Sequence, residues 1–200
     1  MTPLNKEQLQ QIRDERREQI MEAALKVFAR RGIIGTKMSM IASEAGVSTG
    51  LLYRYFDSKD KLFTTLVQQA MDESIVGIKS IYQLPGSPLD KIKMLTTEIL
   101  NEGSQLYFML MHHARTSDEV PITAKKLIEE NTMKTYIDIL EPLFIEGQKE
   151  GELAADPPCE LISCYLSLLS GLMTLNIQGD ENYQMPKVDL LLRFIIRSSS

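Results

Sequence analysis

Residues 41–56, IASEAGVSTGLLYRYF, restrict the fold of this chain more than any other stretch. A short segment, MSMIASEAG, turns Ile41, Ala42 and Ala45 inward and stops at Gly46. Val47 follows as an apolar turn residue, and Ser48 is a natural N-cap for the next segment, TGLLYRYF. Upstream, REQIMEAALKVFARRG places Ile20, Ala24, Val27 and Phe28 at i, i+4, i+7 and i+8 with Ala23 beside them, one face of an amphipathic helix. Gly32 ends that helix, and Arg30 and Arg31 suit the negative end of its dipole. Three helices with a glycine-containing turn between the second and third make a helix-turn-helix.

A turn of 100° per residue puts Leu52 and Phe56 on one face of the third helix, where they pack on Phe28, Ile41 and Val47. Gly50 and Arg54 fall outward, Leu51 and Tyr53 flank them, and Thr49 lies in the first turn, whose backbone N–H groups are free. Small residues at a helix entrance let it approach a groove closely. In DSKDKLF, Ser58 is the expected cap of a fourth helix, running from about 59 to 80, and Asp60 suits its positive end. Lys59 opposes that dipole by a few tenths of a kcal/mol. It reads either as a solvated lysine or as half of a phosphate clamp completed by free backbone N–H groups.

These features resemble the TetR family of bacterial transcriptional regulators. The matching residues run from Ile20, Ala23, Ala24 and Phe28 through Gly32, Thr36, Ile41, Ala42, Ala45, Gly46, Val47, Ser48, Leu52, Tyr53, Tyr55, Phe56, Ser58, Lys59 and Leu62. The resemblance implies that Thr36, Ser39 and Ser48 sit near the DNA backbone or the groove edge and that Thr49, Gly50 and Leu51 face base edges. It further implies that Tyr53 and Tyr55 offer hydroxyls to phosphates and that Lys59 clamps one. Arg54 is an additional contact suggested by its outward position, and Leu51 suits a thymine methyl. Lys37 stands where relatives commonly carry a capping threonine, so Thr36 is expected to cap the second helix.

Charge is distributed in keeping with such a role. The chain carries 22 Lys+Arg against 27 Asp+Glu, a net charge of −5, yet residues 1–62 hold +3 and residues 63–200 hold −8. A basic amino-terminal portion on an acidic body suits a protein that meets phosphate at one end; a chance asymmetry of solvated faces is the alternative. With 44% hydrophobic content, 200 residues can bury a core without disulfides. Cys159 and Cys164 are five apart on one helix, match no metal spacing, and are expected as buried thiols. No secretion signal opens the chain, and a cytoplasmic protein is expected.

The expected fold is all-α, with a helix-turn-helix DNA-binding domain over residues 1–62 and a larger helical ligand-binding and dimerisation domain over 63–200. In the body, the pattern predicts one helix from Asp90 to about Arg115. Another runs over Thr123 to Glu150, interrupted near Pro142, and an apolar one covers VDLLLRFII. Residues 161–179 carry no charge, but Ser163, Ser167, Ser170, Thr174, Asn176 and Gln178 weaken a membrane-span reading, and no membrane partner is expected. So apolar a helix must be buried, either in the chain's own core or against a second copy. In the resembling family the last two helices pair with their copies, which implies a homodimer through Leu161, Tyr165, Leu168, Leu172, Leu191, Phe194 and Ile195.

A two-fold dimer presents two recognition helices about 34 Å apart to a near-palindromic double-stranded operator. A small apolar or amphipathic effector in the body then releases DNA by favouring another conformer, about 1.4 kcal/mol of differential affinity being worth tenfold. Met94, Tyr107, Phe108, Met111, His112, Met133, Tyr136 and Tyr165 are candidate lining, or simply core. His112 and His113 splay about 100° apart and cannot readily share a metal. No metal or other cofactor is expected. HExxH, GxxxxGK[ST] and GxGxxG motifs are absent, so an enzyme is not expected. The rival readings are a helical-bundle enzyme using His112 with Glu98 or Glu102, and a partner-binding adaptor with a degenerate helix-turn-helix.

Overall fold

The computed structural model describes residues 5–175 and 184–197. Its helices are α1 (Lys6–Arg31), α2 (Met38–Glu44), α3 (Thr49–Tyr55), α4 (Lys59–Ser80), α5 (Pro88–Ile99), α6 (Glu102–Thr116), α7 (Ile122–Glu130), α8 (Met133–Lys149), α9 (Pro158–Thr174) and α10 (Val188–Leu191), with a 3-10 turn at Ile81–Gln83. Among the described residues the extended pairing is a lone bridge between Leu153 and Ile196. Two compact units result, one of residues 1–70 with 109–128, the other of 71–108 with 129–200.

The first unit is built around α1. Ile20, Ala24 and Phe28 are buried with Ile41, Leu52, Leu62 and Leu66, and the Phe28 and Phe63 rings meet edge to face at 5.1 Å. Gly32 caps α1 with φ 63°, its N–H donating to the Phe28 carbonyl at 2.8 Å. Gly46 makes the turn after α2, also at φ 63°. A Cβ there would meet nothing within 4 Å, so backbone conformation rather than crowding calls for glycine. In the same unit His113 of α6 lies against the end of α1, its Nε2 at 3.1 Å from the Ala29 carbonyl oxygen.

The second unit packs α5, α8, α9 and the carboxy-terminal segment around Ile92, Leu95, Leu140, Phe144, Ile162, Tyr165 and Ile195. Ser87 and Asp90 form a capping box at the start of α5, with Pro88 in its first turn. Thr96 and Tyr165 are buried together, their hydroxyls 2.9 Å apart. Burial pushes the Tyr165 hydroxyl well above the ordinary tyrosine range, so it stays protonated as a hydrogen-bonding group.

Several expectations for the body are corrected. The helix expected from Asp90 to Arg115 is two, because Asn101 restarts the chain: its side-chain oxygen accepts from the Ser104 N–H at 2.9 Å and caps α6. The break expected at Pro142 falls instead between α7 and α8, at Asn131 and Thr132. Pro142 stands inside α8 at an exposed position, where water can serve the carbonyl that loses its partner. VDLLLRFII is one helical turn, Val188–Leu191. The chain then runs alongside residues 152–154, with Ala154 N–H on the Ile195 carbonyl and Arg197 N–H on the Glu152 carbonyl. Cys159 and Cys164 are both exposed rather than buried. Asn176 and Gln178 lie outside the described residues.

Candidate nucleic-acid interface

The local chemistry of α3 separates an inner from an outer side. The Ser48 hydroxyl accepts from the Leu51 N–H at 3.1 Å, satisfying one orphan donor at the helix start. Leu52 and Phe56, at 0% and 4% exposure, anchor the helix in the core as expected. Outward stand Ser48, Thr49, Gly50 and Arg54, all exposed, with Tyr53 at 48% and with Leu51 and Tyr55 half-buried. Ser39 is exposed in α2.

Gly50 is informative because its own fold does not require it. Its φ is not positive, and a Cβ built there meets nothing within 4 Å. Alanine would fit and favour the helix by about 1 kcal/mol. A small residue kept where the chain has room, at an exposed helix entrance, leaves that room for something outside the chain.

Two expected contacts are placed differently. Thr36 is 2% exposed, and its hydroxyl donates to the Gly32 carbonyl at 2.6 Å. The cap position of α2 is Lys37, without a side-chain hydrogen bond, so Thr36 neither caps α2 nor presents a hydroxyl outward. Ser58 does cap α4, accepting from the Lys61 N–H at 3.1 Å. The half-buried Lys59 is neither simply solvated nor wholly free for an anion: its Nζ donates to the Ile33 carbonyl at 2.7 Å, tying α4 to the loop after α1. An ammonium has three donors, and two remain.

Residues missed from sequence set the frame of this site. The Arg17 guanidinium lies 5.4 Å from the centre of the Phe56 ring, a cation–π contact at the end of α3. The Gln19 amide donates to the Ala45 carbonyl at 2.8 Å, tying α1 to the end of α2. Partners 26 and more residues apart leave no local spacing to read.

The candidate effector residues are divided between the two units. Met111, half-buried, and His112, exposed, belong to the first unit and the other six to the second. There, Met94 and Met133 are 37% and 41% exposed, Tyr107 and Phe108 are half-buried, and the Tyr136 hydroxyl lies 3.0 Å from that of Ser74. Tyr165 is core, at 0% exposure. The dimer candidates shift as well. Leu161, Tyr165, Leu191 and Ile195 are buried inside their own unit, because α9 spends its most apolar stripe there. What α9 leaves outward is Cys164, Ser167 and Gly171, flanked by half-buried Leu168 and Leu172; Phe194 is 40% exposed.

Comparison with known proteins agrees with the fold. The sequence model of the bacterial regulatory proteins of the tetR family matches residues 20–66, which span the helix-turn-helix and the start of α4. The HTH-type transcriptional regulator RutR of Escherichia coli O157:H7 is 33% identical over 156 residues, 74% of this chain and 68% of that protein. The chain belongs to the TetR family and is a transcriptional regulator. The HTH-type transcriptional activator FasR of Mycolicibacterium smegmatis is 42% identical over 131 residues, 64% of this chain and 60% of its own length. Among solved structures, FadR from Bacillus subtilis in complex with stearoyl-CoA shares the fold with a TM-score of 0.64 at 22% identity, covering 89% of this chain and 98% of that one. Among the described residues no helix is long and apolar enough to cross a membrane, and no cluster of His, Cys, Asp and Glu could hold a metal ion.

Proposed function

We propose that this regulator acts in the cytoplasm as a homodimeric repressor that binds a near-palindromic operator and is released by a small apolar or amphipathic effector. Residues 1–62 bind DNA and residues 63–200 carry dimerisation and effector binding; the reading includes no catalytic step. The observation that carries it is the bare outer edge of α3: a capped helix entrance with Thr49 and Gly50 exposed and unfilled space at Gly50. Thr49, Gly50 and Leu51 face base edges. Ser39, Ser48, Tyr53, Arg54 and Tyr55 meet backbone phosphates, and Lys59 adds its two remaining donors.

Two copies related by a two-fold axis through the outer face of α9 present two such edges to successive major grooves. The stearoyl-CoA held by the FadR structure supports an amphipathic effector for the body. Exposed Met94 and Met133 and half-buried Tyr107, Phe108 and Tyr136, all of the second unit, are its candidate contacts. An activator is the second reading, favoured by the likeness to FasR.

Gel-shift titration with the DNA upstream of the coding sequence tests the core of this reading. Thr49→Ala with Tyr53→Phe is expected to weaken binding about tenfold with no change in the urea midpoint. Undiminished affinity contradicts it.

A further inference from the structure

The first four turns of α1 carry a feature that their composition conceals. Over Lys6–Gln19 there are four cations and four anions, so the segment is neutral. In the helix the two signs separate. At 100° per residue, Lys6, Arg13, Arg16 and Arg17 fall within a sector about 100° wide, on the line that Ile20 and Val27 continue into the core. Glu7, Asp14, Glu15 and Glu18 occupy a sector of similar width on the opposite side.

Hydrogen bonds hold that separation. Gln10 and Gln11 donate to Asp14 and Glu15 at 2.9 and 3.0 Å, so those two carboxylates are engaged by amides rather than by arginines. Among the described residues no ion pair neutralises Arg13 or Arg16; Arg16 bonds Gln19 at 2.8 Å and keeps its remaining donors. Asn5 and Gln8 close a capping box at the start, so the segment is a finished helix end rather than a frayed one.

Two contacts fix which way the cationic side looks. Arg17 over Phe56 and Gln19 on Ala45 lie on either flank of α1 and both reach the α2–α3 pair. The sector between them therefore faces the side on which the helix-turn-helix lies. Residues 6–16 continue that side for about 16 Å beyond these contacts, roughly five base-pair steps of a duplex. Leu9 and Ile12, 49% and 46% exposed, interleave with the arginines there.

We infer that this overhanging face of α1 is a second DNA contact, with Arg13 and Arg16 on backbone phosphates flanking the sequence that α3 reads. Charge complementarity selects the occupant: an unpaired cationic strip beside a recognition helix meets the polyanion that the helix already holds. The inference rests on the DNA-binding reading above. It adds affinity and salt dependence without base preference.

Fluorescence anisotropy with the intact protein tests it. The probe is a labelled duplex of about 40 base pairs selected by the unaltered protein from a random pool, used whole and cut back symmetrically to about 16 base pairs, which keeps the two α3 half-sites and removes the roughly five base pairs beyond each. Arg13→Gln with Arg16→Gln is expected to weaken binding of the whole duplex about tenfold, more at low salt, and to reduce the slope of log affinity against log salt by about 1.8 per bound protomer. Trimming should weaken the unaltered protein and leave this variant unchanged. Arg13→Lys with Arg16→Lys should restore most of the slope. Removing two charges elsewhere, at Lys149 and Lys187, should change nothing beyond about twofold.

Glutamine keeps helix propensity, and unchanged far-ultraviolet circular dichroism confirms folding. If the glutamine variant binds with the same affinity and slope, the α1 contact falls while the regulator reading stands. A change in oligomeric state without DNA assigns the face to protein contact and overturns the proposal. If the unaltered protein selects no duplex, the DNA-binding reading falls and takes this inference with it.

Discussion

The entrance of α3 and the outer face of α9 both expose small, uncharged residues, and they differ in what the backbone beneath them still needs. Ser48, Thr49 and Gly50 lie at a helix start, where amide N–H groups lack intrahelical partners and Ser48 satisfies one of them. Cys164, Ser167 and Gly171 lie along the middle of a 17-residue helix, where the main chain bonds to itself. A surface of the first kind offers donors and close approach, which suits phosphates and base edges. The second offers only close approach, which suits another helix. Small residues alone therefore do not define an interface; their position along the helix decides what can sit on them.

The largest effect expected from this contrast is at Gly171. A Cβ there meets nothing within 4 Å, so Gly171→Gln should leave the single chain folded while separating two copies packed on α9. Dimerisation measured by sedimentation velocity should weaken about 100-fold or more, with operator affinity falling alongside it. A dimer that persists would break the comparison on the α9 side.

Next comes Gly50→Ala, which should lower operator affinity about tenfold while raising stability by about 0.5–1 kcal/mol in urea unfolding. Loss of function with gain of stability is the mark of a residue chosen for something outside the chain. Gly46, four residues earlier, should behave oppositely. There φ is 63°, and Gly46→Ala should destabilise by about 1–2 kcal/mol. The smallest effect is expected at Lys59. Lys59→Met removes the hydrogen bond to the Ile33 carbonyl and should cost about 1 kcal/mol of stability.

The helix-turn-helix was legible in the sequence because its boundaries are written locally: Gly32 and Gly46 stop helices, Ser48 and Ser58 start them, and Leu52 and Phe56 face inward at i and i+4. The body was less legible for two reasons. Apolar periodicity runs across the break at Asn101, so a pattern of one long helix covers two. The run VDLLLRFII looks the same to a helix wheel whether it coils or, as here, turns after Leu191 and lies beside residues 152–154. An α9 apolar on nearly every side, together with the family's pairing of its last two helices, makes Tyr165 and Leu161 look like interface, but α8 and α5 already cover the stripe that holds them.

Within the candidate site, outward residues of α3 followed from the wheel. The partners of Lys59, Arg17 and Gln19 did not, since Ile33, Phe56 and Ala45 come to them only through the fold. The separated charges of α1 were equally hidden. A count of residues 1–62 registers a net +3 and is blind to a neutral segment whose two signs face apart.

The central claim is that the edge Thr49–Leu51 reads DNA, and the most direct test is selection from a random duplex pool with the intact chain and with Leu51→Gln, followed by sequencing. The account predicts a two-fold symmetric motif for the unaltered protein and, for the variant, changed base preference at one symmetric pair of positions within an otherwise retained motif. Recovery of no motif, or of identical motifs from both proteins, contradicts it.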